Sequence, residues 1–134
     1  MKKFIVIIIS TMLLLTFFVS NGSSATASHS KESVRSLIYS KFGNGWLGRE
    51  MVCIADRESN LEHDAWNRTD KHWDNRLGYY IYGSFGLFQL GALHRRDYES
   101  VTAFRIRMFQ PKENVQRAYE LYKSSGLSPW GGGC

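Results

Sequence analysis

At 134 residues the chain has room for one domain rather than several. Its 17 Lys and Arg against 12 Asp and Glu give a net charge of +5, but the arginines are dispersed, which argues against a nucleic-acid binder. Its two cysteines have no second ligand at zinc-finger spacing, and His63, His72 and His94 form no close cluster, so a metal site is not expected.

Lys2 and Lys3 precede an apolar run from Phe4 to Val19, and Ala25-Thr26-Ala27 closes the polar stretch after it. This is the layout of a secretory signal peptide over 1–27. The competing reading is an uncleaved membrane anchor, for which the run falls short of the roughly 20 residues of a span. Cleavage after Ala27 leaves one domain over 28–134. Lys2 and Lys3 depart with the leader, so 15 of the 17 Lys and Arg face 12 Asp and Glu, a net +3. A mildly basic secreted or periplasmic protein suits an anionic bacterial wall or membrane surface. In an exported chain Cys53 and Cys134 are expected to pair. Their bridge closes a loop of about 80 residues, worth about 3–5 kcal/mol in the chain-entropy account.

Val34, Leu37, Ile38 and Phe42 recur at helical spacing, with Ser30 as N-cap and Gly43-Asn44-Gly45 as stop. This first helix reads as packing only. Trp46 and Leu47 lead into a second, in which Met51, Ile54, Ala55 and Glu58 share one face. Glu58 thus ends an apolar stripe. Burial there raises a carboxyl's pKa and makes a general acid of it; the alternative is a helix end at which Glu58 reaches water. Periodicity does not choose between them.

Residues 61–82 read as irregular, with room for a short β-ribbon in 66–85. Trp66, Trp73, Tyr79, Tyr80 and Tyr82 alternate there with Asp64, Asn67, Asp70, Asp74 and Asn75. Rings for pyranose faces and polar groups for hydroxyls suit a sugar site; the same residues suit a surface loop pinned by its rings. Gly83 and Gly86 mark a tight turn or close approach, after which Leu87, Phe88 and Leu90 re-enter the core. Val101, Phe104 and Met108 form a short helical stripe. Pro111 opens a last helix with Val115, Ala118, Tyr119 and Tyr122 inward, and Gly126 closes it. The architecture is mainly α-helical.

Cys53-x-Ala55-x-x-Glu58-Ser59-Asn60, with Asn67 beyond, resembles the catalytic-helix motif of chicken-type lysozymes. Gly83-Ser84-Phe85-Gly86-Leu87-Phe88-Gln89 is similar to the Gly-Ser-x-Gly-Leu-x-Gln block of soluble lytic transglycosylases, which also carry a Glu-Ser pair. Asn114-Val115 and Gly126-x-x-Pro129-Trp130 resemble the last helix and its exit in both groups. The resemblance to the lysozyme superfamily covers roughly 46–134.

The resemblance implies an α+β lysozyme-like fold, a small helical domain with a short β-ribbon or loop beside a cleft. It implies a monomeric enzyme acting on peptidoglycan glycan strands, with no cofactor. Glu58 becomes the acid that protonates the oxygen between N-acetylmuramic acid and N-acetylglucosamine, Tyr82, Ser84 and Gln89 line the cleft, and Cys53 pairs with Cys134. Chicken-type lysozymes have an aspartate where Ser84 stands, and a neutral hydroxyl without a base is a poor nucleophile. Two routes follow. In a lytic transglycosylase Glu58 serves as acid and then as base, and the muramic C6 hydroxyl closes a 1,6-anhydro ring. In an inverting lysozyme a carboxylate of the 62–75 loop, Asp64, Asp70 or Asp74, activates water. The Ala-Tyr-Asn-Ala-Gly segment of transglycosylases is absent from this sequence. A non-catalytic glycan-binding module on the same fold is the remaining alternative.

Overall fold

The computed structural model describes residues 29–134; the expected leader over 1–27 lies outside them. Four helices and one small antiparallel sheet make a mainly α, α+β domain. Helix α1 (Lys31–Phe42) starts at Ser30, whose hydroxyl accepts the Ser33 N–H at 3.2 Å, and ends at Gly43, where φ is +83°. Helix α2 (Trp46–Ser59) follows after three residues. Its apolar stripe is buried as expected: Met51, Ile54 and Ala55 have no exposed surface. Asn60 takes a left-handed conformation and returns its N–H to the last turn, which stops the helix.

A β-ribbon fills 66–85, where the sequence left room for one, within the stretch otherwise read as irregular. Strand β1 (Trp66–Asp74) and strand β2 (Tyr79–Phe85) form a long hairpin, and a short strand β3 (Leu90–Gly91) pairs with β2. The strand period of β1 was hidden because its inner face carries Asp70, His72 and Asp74 in place of apolar residues; the core residue Ile81 faces inward from β2, opposite His72. Helix α3 (Val101–Met108) is capped by Ser100, and Pro111 opens helix α4 (Pro111–Ser125). A 3₁₀ turn over Ser128–Trp130 brings the tail back. Cys53 and Cys134 form a disulfide with Cα atoms 6.2 Å apart, which fixes that tail against α2.

One core joins these parts. Ile38, Ile54, Leu87, Phe88, Phe104 and Ala118 are fully buried within it. Burying such a side chain contributes about 1.5–3 kcal/mol. Among the described residues, no helix is long and apolar enough to cross a membrane.

Candidate functional site

A cleft of about 470 Å³ opens between the end of α2, the inner face of the hairpin and the Ser128–Trp130 turn. Glu58, Asp70, His72, Ser84, Gln89 and His94 are among its lining groups. Residues up to 72 positions apart, from Glu58 to Trp130, thus meet in one depression.

Ser84, Phe88 and Gln89 of the segment Gly83–Gln89 line it, and the sequence explains the path of that segment. Gly83 and Gly86 adopt φ of +112° and +73°. A Cβ on Gly86 would collide with the Asn114 side chain and with the Met108 carbonyl, so glycine is required there. Asn114 is wholly buried on α4 and spans the loop: its amide donates to Phe85 O at 3.0 Å and Met108 O at 2.9 Å, and its oxygen accepts from Phe88 N at 3.1 Å. Ser59 Oγ lies 2.9 Å from Leu87 O, tying the same loop to the residue after Glu58. Trp130 Nε1 donates to Phe88 O at 3.1 Å. The loop is therefore held from α2, from α4 and from the tail.

Glu58 stands at the cleft edge. Its side chain is 28% exposed, so it lies between the two readings that periodicity left open, neither fully buried nor free in water. The reason is local: Arg57 Nε and Nη2 donate to Glu58 Oε1 at 3.1 and 2.9 Å. The same guanidinium donates to Trp130 O at 2.7 Å and Gly133 O at 3.3 Å, so the tail and the carboxylate share one clamp.

Of the three loop carboxylates, Asp70 is the one that lines the cleft with Glu58. Ser84 Oγ donates to Asp70 Oδ2, and His72 Nε2 lies 3.1 Å from Ser84 Oγ and 3.3 Å from Asp70 Oδ2. A proton on Nε2 serves both acceptors. His72 in turn is seated on Gly91, where a Cβ would meet its ring at 2.6 Å. These three are not a nucleophilic triad. In such a triad the carboxylate holds the imidazole nitrogen remote from the serine; here one nitrogen faces both. Ser84, only 1% exposed, holds Asp70 instead.

Asp64 and Asp74 do not belong to the cleft. Asp64 lines a separate cavity of about 690 Å³ with Leu61, His63 and Phe109. Asp74 is 3% exposed and paired with Arg95 and Arg76. Burial opposes its ionisation, but the Arg95 guanidinium, the Arg76 backbone N–H and the Arg76 side chain prevail and lower its pKa to about 2. Both are withdrawn as water-activating candidates. Tyr82 is withdrawn from the lining as well: it lies 54% exposed on the far side of the hairpin. Gln89 does line the cleft, but its amide nitrogen is committed to Gly86 O at 3.0 Å and Ala65 O at 3.3 Å.

Sequence reasoning missed His94, Arg57 and the site role of His72. Burial, then the nearby Arg117 guanidinium, push His94 down to about 4, which makes it a neutral wall at neutral pH. His72 had one available signal, its two-residue spacing from Asp70 and Asp74, which puts all three on one strand face. No protein-family model, curated protein or solved structure matches the chain. The functional reading therefore rests on the cleft and its residues.

Proposed function

We propose that this protein cleaves the β-1,4 bond between N-acetylmuramic acid and N-acetylglucosamine in peptidoglycan, with Glu58 as the general acid. The observation that supports this reading is the convergence of Glu58, Ser84, Gln89 and Trp130, carried by three separate resembling motifs, on one open cleft. Glu58 gives its proton to the glycosidic oxygen as the C1–O bond breaks. In the transglycosylase form the muramic C6 hydroxyl then attacks C1. Its proton returns to the Glu58 carboxylate and a 1,6-anhydro end is left.

A second reading is favoured by the placement of Asp70. A carboxylate in the same cleft, fixed by Ser84 and His72, is equipped to take a proton from water as the water attacks C1. Ser84, which stands where chicken-type lysozymes have an aspartate, then orients the base rather than replacing it.

The two forms separate by product. Mass spectrometry of digested peptidoglycan shows anhydro ends for the first and reducing ends for the second. Glu58→Gln lowers turnover by about 10²–10⁴-fold in either form; unchanged clearing of wall material by this variant refutes the proposal. Asp70→Asn is nearly silent in the first form and loses about 10²-fold or more in the second.

A further inference from the structure

The aromatic stretch singled out in the sequence does not enter the cleft. Past the irregularity between Asn67 and Lys71, the register sets Lys71 against Tyr82 and Trp73 against Tyr80. Residues two apart on a strand share a face, so these four make one block on the outer side of the hairpin. His72 and Asp74 face inward from between them. Trp73, Tyr80 and Tyr82 keep 51%, 48% and 54% of their surface exposed. They are nonetheless arranged against one another: Trp73 meets Tyr80 edge-on with centroids 5.1 Å apart, and the Lys71 ammonium lies 3.9 Å from the Tyr80 centroid. An exposed patch of this kind marks a binding surface.

The charges of the two strands indicate what covers it. Their two carboxylates are engaged on the inner side, Asp70 with Ser84 and His72, Asp74 with Arg95 and Arg76. Arg68 and Lys71 are the other charged residues of β1, β2 carries none, and both cations are exposed. Of the charges that the two strands carry, the outer block therefore presents Lys71 beside its rings and no carboxylate. The block holds no aliphatic side chain to insert among acyl chains. Each of its rings instead carries an N–H or O–H beside an apolar face, which suits a hydroxyl-rich pyranose. The same hairpin also forms a wall of the cleft that holds Glu58. We propose that this outer face is a second, non-catalytic binding site for an acidic polysaccharide strand. Sugar rings stack on Trp73 and Tyr80, and carboxylates of the peptide stems that the strand carries meet Lys71. Polymer captured there is held one sheet thickness from the cutting site. The choice of polymer, a wall glycan, rests on the function proposed above.

The test separates binding from turnover. Binding is read by co-sedimentation of the Glu58→Gln protein with insoluble peptidoglycan, with and without Trp73→Ala and Tyr80→Ala together. The aromatic pair is expected to account for about a tenfold loss of affinity. In the otherwise native protein the same pair leaves turnover of a short soluble oligosaccharide within about twofold, since it lies outside the cleft. Lys71→Glu weakens binding to peptidoglycan but not to neutral chitin. Thermal melts check folding, and the single Tyr82→Ala variant serves should the double variant melt early. Unchanged sedimentation overturns the inference. So does capture by anionic phospholipid vesicles that needs Trp73 while peptidoglycan binding does not. Trp73-dependent sedimentation without turnover of any glycan supports this surface and refutes the proposed function.

Discussion

Glu58 and Asp70 show how differently two carboxylates are handled in one cleft. Glu58 is held by a cation, Arg57, and Asp70 by a serine and a histidine. The first was singled out in the sequence by the Glu58-Ser59 pair and the Gly83–Gln89 block that follows it, since its place at the end of an apolar stripe left open whether it met the protein or water. The choice among Asp64, Asp70 and Asp74 was not legible, because strand direction and pairing decide which carboxylate faces the cleft and which is neutralised. Asp74 and His94 also set the acid sensitivity of the fold. Native Asp74, lowered to about 2, binds fewer protons than its unfolded counterpart near 3.8. Its stabilisation is therefore complete above about pH 4 and is lost as pH falls through 2. Native His94, lowered to about 4 from 6.5, likewise resists protonation that the unfolded chain accepts. Stability is accordingly expected to decline first between pH 6.5 and 4, then again toward 2. Urea unfolding across this range reads both steps. His94→Gln should flatten the upper one, recovering about 1–2 kcal/mol at pH 4 once solvent screening of the partly exposed ring is included.

At the scale of elements, the helices follow directly from their punctuation. Ser30, Ser100, Pro111 and Gly126 stand at the helix boundaries where capping chemistry puts them. The hairpin was harder to read. A half-buried strand is recognised by apolar residues on alternate positions, whereas β1 turns acids and a histidine inward and rings outward. The Gly83–Gln89 loop depends most on a single fit, that of Gly86 against Asn114. Gly86→Ala adds a methyl where neither the Asn114 amide nor the Met108 carbonyl leaves space, at a φ of +73°. A loss of about 2–4 kcal/mol is expected, measurable as a lowered chemical-denaturation midpoint. Asn114→Ala, which strands three backbone groups, should cost a similar amount.

For the whole molecule, the Cys53–Cys134 bridge acts as a boundary as well as a brace. The two cysteines are 81 positions apart, and Glu58, Asp70, His72, Ser84, Gln89, His94 and Trp130 all fall between them. The hairpin, the cleft and the outer aromatic face therefore belong to one covalent ring. A peptide bond cut once within that ring leaves a single molecule with no piece to lose. Limited proteolysis at the exposed turn over 75–78 should give one band on a non-reducing gel and two after reduction. If the function proposed above holds, the nicked protein keeps its turnover of peptidoglycan until thiol is added. A first cleavage alone then does not take the molecule apart, and its later separation depends on the redox state of its surroundings.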